Sequence, residues 1–250
     1  MDPERIGPYE VLRLLGPGGL GSVHLALDGD GRTVAVKAIH PHLVDTGGLL
    51  GLEREAEAMR GLRSPHVAEI LDADLRCASP YIVSRYVQGR SLDRIVTERG
   101  PFSGVALTAL YTGLAEALAV IHREGVVHRD LTPRNVMIAD GVPVVVDLGI
   151  AQTLGGTRIT QGVVGTAGYV APELIEGERA GPAADVFAWA ATVVFAATGR
   201  QCFGGRTTAE IVNNVLTRRP DLTGVPARRS STASTGPWTR TRAAGRRRAS

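Results

Sequence analysis

Three oxygen-bearing side chains stand at the ends of two short apolar runs, and their types could hold a metal ion. Asp130 and Asn135 lie in the sequence His-Arg-Asp-Leu-Thr-Pro-Arg-Asn, and Asp147 follows a run of three valines. Carboxylate and amide oxygens are ligands that Mg²⁺ accepts when substrate phosphates complete its coordination shell. Because a hairpin would carry both runs, the spacing predicts that the three side chains face one ligand. Such a triplet also arises by chance, so the rest of the chain has to support it.

Lys37 is the only lysine among the 28 basic residues of the chain. An ammonium is a compact point charge, whereas the arginine guanidinium is a rigid planar fork, so the two are not interchangeable. A chain that uses arginine everywhere else and keeps one lysine is expected to need the chemistry of that ammonium. Codon bias is the alternative, and the residue alone does not decide between them.

A glycine-rich stretch lies between two predicted strands, Tyr9 to Gly16 and Val23 to Leu27. Its glycines include Gly16, Gly18 and Gly21. A lone G-x-G-x-x-G pattern is weak, and its dinucleotide-binding form must open a helix, which this one does not. Between two strands the pattern favours a flap whose backbone amides cover phosphates. A glycine-rich hairpin without a ligand is the alternative for the motif taken alone.

The remaining elements would position these groups. Alternating residues predict a strand over 34–39 that carries Lys37, followed by a helix over 47–63 from which Glu55 is expected to pair with that lysine. An apolar strand over 80–87 ends at Gln88-Gly89, which is interpreted as a hinge. Leucines at helical spacing predict a long helix over 102–124, and the apolar run 186–198 predicts a buried helix that is too short to span a bilayer.

Together these motifs resemble those of bacterial serine/threonine protein kinases of the eukaryotic-like type. The resemblance covers roughly residues 8 to 225 and rests on motifs in family order: the glycine loop, Val-Ala-Val-Lys37, Glu55, His-Arg-Asp130, Asp147-Leu-Gly, Ala-Pro-Glu173 and Asp185. It implies an α+β, two-lobe fold with a small β-rich N-lobe over 8–87. A larger α-helical C-lobe would follow over 88–225 and would lack the final helices of the family.

The resemblance also assigns roles, and it implies ATP and Mg²⁺ as cofactors. Lys37 would contact the α- and β-phosphates, Asp130 would orient the substrate hydroxyl, and Asp185 would anchor the catalytic loop. The remaining catalytic residues would be Glu55, Arg134 and Thr166, the last through a hydrogen bond to Asp130; the metal ligands would be Asn135 and Asp147. The nucleotide would contact Gly16, Gly18, Gly21, Val23, Ala35, Lys37, Arg85, Val87 and Met137.

The stretch between Asp147 and Glu173 resembles an activation segment that phosphate–arginine pairing orders. Thr160 lies six residues before Thr166, which is the spacing of autophosphorylated threonines in similar kinases. We therefore expect autophosphorylation at Thr160 and secondarily at Thr157. The Gly-Thr-Ala-Gly-Tyr-Val-Ala-Pro-Glu sequence favours protein substrates with serine or threonine over tyrosine, and it disfavours a small-molecule phosphotransferase.

Thr132 departs from the family, because serine/threonine kinases usually carry a lysine there. Loss of one preorganised donor costs roughly 10²–10³ in rate. Arg134 occupies the position at which tyrosine kinases place a substituting arginine, so partial compensation is expected. A weakly active or inactive nucleotide-binding pseudokinase is the alternative function that this departure leaves open.

The end of the chain has a different composition. Residues 226–250 contain seven arginines and no acidic residue; without them, 21 basic residues face 25 acidic ones, a net charge of −4 in place of +3. This stretch is predicted to be a disordered tail. A frameshifted end is one interpretation and an arginine-rich arm for nucleic acid is another; we consider nucleic-acid binding the less favoured of the two. Two lone cysteines and the lack of a signal sequence or membrane segment lead us to expect a cytoplasmic protein.

Overall fold

The computed structural model describes residues 4–18, 21–40, 46–147 and 166–226. Leu148, Gly149, the predicted phosphorylation sites Thr157 and Thr160, and the tail over 227–250 lie outside these residues.

An antiparallel sheet of six strands forms the first half of the molecule, and its strand order is β1-β2-β3-β4-β6-β5. The strands are β1 (Arg5–Ile6), β2 (Tyr9–Gly18), β3 (Gly21–Leu27), β4 (Thr33–Ile39), β5 (Ile70–Asp74) and β6 (Tyr81–Arg85). Along β4, Val34 and Val36 are buried on one face and Ile39 is buried on the other, as expected for a strand that is packed on both faces. The predicted strands around the glycine loop and Lys37 are confirmed.

Helix α1 (Thr46–Met59) packs against this sheet. The sequence predicted that it continues to Arg63, and this prediction was wrong. Arg60 instead forms a parallel bridge with Ile70, and Gly61 has a φ of 77°, a left-handed conformation that ends a helix.

The second half is mainly helical. Its helices are α2 (Leu92–Arg99), α3 (Gly104–Arg123), α4 (Pro172–Ile175), α5 (Pro182–Thr198) and α6 (Thr208–Thr217), and its small sheet joins β7 (Arg90–Ser91), β8 (Val136–Ala139) and β9 (Val142–Val145). The two long predicted helices are present. Helix α5 begins four residues earlier than predicted because Pro182 occupies a favoured first-turn position.

The two halves are joined by the segment that connects β6 to β7, where Gly89 lies against β8. A Cβ atom at Gly89 would overlap the backbone carbonyl of Ile138, so this approach requires glycine. A second connection lies opposite, where the amide of Ala68 donates to the carbonyl of Val145 at 2.9 Å and the amide of Val145 donates to the carbonyl of His66 at 2.8 Å. The expected α+β, two-lobe architecture is confirmed.

Helix α3 is long and apolar enough, by length and composition alone, to cross a membrane, and among the described helices only this one meets that test. One side of it, including Leu110, Leu114 and Ile121, is buried in the protein core. Core helices of folded domains commonly have this composition.

Candidate active site

Lys37 and Asp147 meet in the cleft between the lobes. Lys37 extends from β4 and its Nζ donates to Oδ1 of Asp147, which follows β9 and lies 110 positions later in the chain. The two side chains are 14% and 23% exposed. The structure therefore brings together the single ammonium and one of the three oxygen donors that the sequence singled out.

Asp130 and Asn135 form the second part of the site. The Asn135 side-chain amide donates to the backbone carbonyl of Asp130 at 2.8 Å and to its Oδ2 at 3.1 Å. Because the Asn135 nitrogen makes these bonds, its carbonyl oxygen is the atom that a cation could bind. The 3₁₀ turn Pro133–Asn135 sets this geometry, and it begins directly after the buried Thr132.

The carboxyl group of Asp130 is largely withdrawn from water. Burial raises the pKa of Asp130 above its ordinary value, and the nearby Asp147 raises it further, whereas His128, Lys37 and the bond from Asn135 act in the opposite direction. A raised pKa makes a carboxylate a stronger base, which suits a group that accepts or orients a proton.

The catalytic loop, which comprises residues 128–135, is held in place by Asp185. The Asp185 side chain is fully buried in the first turn of α5. Its two oxygens accept bonds from the backbone amides of His128 and Arg129, both at 2.7 Å. The ring of His122 contributes a further contact to Oδ2 at 2.7 Å. These bonds support the positive φ of 64° at Arg129, a conformation that costs free energy in a non-glycine residue. The predicted anchoring role of Asp185 is confirmed.

The predicted pair between Lys37 and Glu55 was wrong for this structure. Glu55 binds Arg129 through both oxygens, with NH1 2.9 Å from Oε2 and NH2 2.7 Å from Oε1. A guanidinium matches a carboxylate with two parallel bonds, whereas an ammonium offers only a point charge. Arg129 therefore holds Glu55, and Asp147 holds Lys37.

Thr166 does not make the predicted hydrogen bond to Asp130. Its backbone has α-helical angles, and its carbonyl accepts from the amide of Tyr169 at 3.0 Å at the start of the turn Ala167–Tyr169. Within the described residues, Asn135 is the side chain that donates to the Asp130 carboxylate. Arg134, the remaining predicted catalytic residue, lies beside Asn135 and is 67% exposed.

The predicted nucleotide contacts lie on strands around the cleft. Val23 pairs with Lys37 across β3 and β4, Ala35 pairs with Ser84 across β4 and β6, and Met137 pairs with Val144 on the opposite lobe. Gly21 follows the two residues outside the description, and a Cβ there would overlap the carbonyl of Ala38. Gly16 and Gly18 lie at the end of β2.

The segment that joins the lobes contributes Arg85 and Val87. The amide of Arg85 donates to the carbonyl of Glu69 at 2.9 Å, so that group already has a partner in the protein. Val87 is buried beside Ala68, Val144 and Met137. The other backbone groups of this segment are the ones that a nucleotide edge could contact.

Three pairs were not predicted from the sequence: His122 with Asp185, Arg129 with Glu55, and Asp93 with Arg134. Each pair spans 41 to 74 positions of the chain. The single histidine at the end of α3 and the acidic residue on the short helix α2 show no local sequence pattern that identifies their partners. Only the long-range packing of α1, α2, α3 and α5 around the catalytic loop reveals these pairs.

The fold and this site define a protein kinase. Residues 9–240 match the family model of the protein kinase domain, and the chain belongs to this family. A solved structure, the kinase domain of Mycobacterium tuberculosis PknI, superposes with a TM-score of 0.69 at 24% identity and covers 90% of this chain and 84% of that chain. This likeness supports the fold.

The relatives that are similar in sequence are named as serine/threonine-protein kinases. The chain is 42% identical over 228 residues to the probable serine/threonine-protein kinase PkwA of Thermomonospora curvata, covering 90% of this chain and 31% of that protein. It is 43% identical over 229 residues to the serine/threonine-protein kinase AfsK of Streptomyces coelicolor, with shares of 90% and 29%. The chain thus spans less than a third of the length of these relatives.

Proposed function

We infer that this chain is an ATP-dependent protein serine/threonine kinase that transfers the γ-phosphoryl group of ATP to serine and threonine hydroxyls. The observation that carries the inference is the convergence of Lys37 and Asp147 in one cleft, beside Asp130 and Asn135. In this class of reaction the protein contributes mainly position and charge rather than covalent chemistry. The similarity to named serine/threonine-protein kinases supports the same activity.

The donor set suits Mg²⁺. No group of three histidine, cysteine or acidic side chains that could hold a metal occurs among the described residues. An ion bound by Asp147 and Asn135 would therefore need phosphate oxygens and water to complete its shell, as Mg²⁺ commonly does. When bound, the ion neutralises charge on the nucleotide phosphates.

The side chains of the site would have separate roles in the reaction. Asp130 orients the acceptor hydroxyl and receives its proton, and its burial makes the carboxylate a stronger base. Lys37 binds the α- and β-phosphates once nucleotide draws it from Asp147. Thr132 is buried and offers no charge to the γ-phosphate. Arg129, next to Asp130, is paired with Glu55, so Arg134, next to Asn135, is the cation of this loop that could compensate.

Autophosphorylation would follow from the same activity, with Thr160 as the main site and Thr157 as the second. Both precede Thr166 in the segment that resembles an activation loop, and their position in the sequence is the argument for them. Protein substrates with serine or threonine and a cytoplasmic setting belong to this proposal. No observation favours a pseudokinase.

A comparison of Asp130→Asn with Asp140→Asn tests the function. Asp140 is exposed in the turn between β8 and β9, with a φ of 50° that asparagine also tolerates, so this variant matches the chemical change outside the site. Purified proteins receive γ-labelled ATP, Mg²⁺ and a generic protein substrate. Asp130→Asn should lower transfer by roughly 10²–10⁴, Asp140→Asn should match wild type, and EDTA should stop the reaction. Label transfer by Asp130→Asn at the wild-type rate would refute the proposed catalytic role.

A further inference from the structure

Three arginines lie on or beside the turn Pro133–Asn135 of the catalytic loop. Arg90 lies in β7, Arg94 in α2 and Arg134 in the turn Pro133–Asn135, and two acids, Asp93 and Glu98, lie among them on α2. We call these five residues the arginine rim. Three guanidinium groups face two carboxylates, so the rim has a surplus of positive charge.

Two of the three arginines have short hydrogen bonds to a carboxylate of the described residues, and Arg134 does not. Both oxygens of Glu98 are already used, one by NH1 of Arg90 at 2.6 Å and the other by Nε of Arg94 at 2.7 Å. The bond from Arg94 and the charges of its basic neighbours lower the pKa of Glu98, which keeps this carboxylate ionised. Arg90 and Arg94 therefore share one carboxylate.

Arg134 has a weaker partner. Its Nε lies 3.6 Å from Oδ2 of Asp93, which exceeds hydrogen-bond distance, and the Arg134 side chain is 67% exposed. The second oxygen of Asp93 is buried without a donor. A guanidinium has five N–H donors, and within the part of the chain that the structure describes, those of Arg134 make no protein hydrogen bond. The Arg134 guanidinium can therefore form two hydrogen bonds to a ligand without first losing a hydrogen bond to the protein.

The rim lies next to the reacting groups. Asn135, the neighbour of Arg134, binds the carboxylate of Asp130 at 3.1 Å, and consecutive Cα atoms are about 3.8 Å apart. Tyr169, on the segment that leads to Ala171-Pro-Glu, lies close to the rim. Burial chiefly raises the pKa of its hydroxyl; among the nearby charges, Asp93 raises this pKa further and Arg134 lowers it. A peptide whose acceptor hydroxyl reaches Asp130 would therefore lie close to Arg134.

We propose that the arginine rim selects protein substrates with a carboxylate close to the acceptor serine or threonine, and that Arg134 is the specificity-determining residue. This inference rests on the proposed kinase function. Arginine binds carboxylates with two parallel hydrogen bonds that are stronger than neutral ones. A substrate arginine at the same place would meet a like charge, which disfavours basic peptides.

The test uses threonine peptides that differ only in the residues within three positions of the acceptor, which are glutamate, alanine or arginine. The kcat/KM of each peptide is measured for wild type, Arg134→Glu, Arg134→Lys and Arg32→Glu. Arg32 is an exposed arginine beside Asp30 at the turn between β3 and β4, so its variant makes the same charge change in the other lobe.

Wild type should favour the glutamate peptide over the arginine peptide by about tenfold or more, which corresponds to about 1.4 kcal/mol. Arg134→Glu should reverse this order, Arg134→Lys should keep it in weakened form, and Arg32→Glu should leave it unchanged. The ratio of two peptides cancels any general loss of rate in the Arg134 variants. Equal ratios in wild type and Arg134→Glu would overturn the inference while the kinase function stands. Absence of transfer to every peptide and protein tried would overturn the proposed function and this inference with it.

Discussion

Lys37 and Asp147 neutralise each other in the cleft, although each is needed for a different partner in the proposed reaction. Lys37 has to bind phosphate and Asp147 has to bind a cation. In the proposed reaction, a nucleotide and its metal would therefore compete with this ion pair. The strained φ of 55° at Asp147 is a further sign that surrounding structure holds this side chain in place.

Replacing Asp147 with asparagine should separate the two effects. In EDTA, Asp147→Asn should bind ATP about tenfold more tightly than wild type, because Lys37 is released and a negative charge beside the phosphates is removed. The additional affinity that Mg²⁺ gives wild type should be lost. Titration calorimetry with and without Mg²⁺ measures both quantities, with Asp140→Asn as the control. Equal affinities of wild type and Asp147→Asn in EDTA would show that the ion pair does not compete with the nucleotide.

At the scale of elements, helix α3 is fitted closely to strand β9. A Cβ atom at Gly113 would lie 2.7 Å from the ring of Pro143 and 2.8 Å from the ring of His66. The His66 ring is itself fixed, since its Nδ1 donates to the carbonyl of Pro143 at 2.8 Å and its Nε2 lies 3.4 Å from Glu116. The glycine therefore allows the helix to approach the strand.

Gly113→Ala should consequently destabilise the protein by about 1–3 kcal/mol, even though alanine is favoured over glycine inside a helix by about 1 kcal/mol. Ala115→Gly on the exposed side of the same helix is the matched control, and it should cost only the helix propensity. Urea denaturation gives both free energies of unfolding. A Gly113→Ala protein more stable than wild type would mean that the two rings move aside freely.

The elements also explain how much the sequence could predict. Strand alternation and leucine spacing predicted β3, β4, β6 and α3, and the ligand-bearing runs predicted that Asp130, Asn135 and Asp147 lie near one another. The partner of Glu55 could not be predicted in the same way. Lys37 and Arg129 are both cations that could face it, and the placement of α1 relative to the catalytic loop decides between them. The same holds for Asp185, for which anchoring of the catalytic loop was expected and the contact with His122 was not.

At the scale of the whole molecule, one core connects the lobes. Buried residues of the sheet side, such as Leu52, Met59 and Val67, belong to the same cluster as Leu114 and Ile121 of α3. The paired backbone bonds between the segment 66–68 and β9 lie beside this cluster. Because the apolar contacts are continuous, loss of packing in one lobe removes support from the other.

We therefore expect both lobes to unfold in one transition, and Leu114→Ala should lower its midpoint for both. Leu114 is fully buried, so its truncation should cost about 2–5 kcal/mol. Trp189, whose Nε1 donates to the carbonyl of Tyr111 at 3.1 Å, reports on the helical lobe by fluorescence once Trp238 is replaced by phenylalanine. Amide exchange of β3 and β4 at each urea concentration reports on the sheet.

Val105→Ala is the control, at a position of α3 that is 85% exposed. It should change the free energy of unfolding by no more than about 0.5 kcal/mol, so both midpoints should stay close to those of wild type. If Leu114→Ala shifted the fluorescence transition and left the exchange of β3 and β4 unchanged, the lobes would be independent units and the shared core would not couple them.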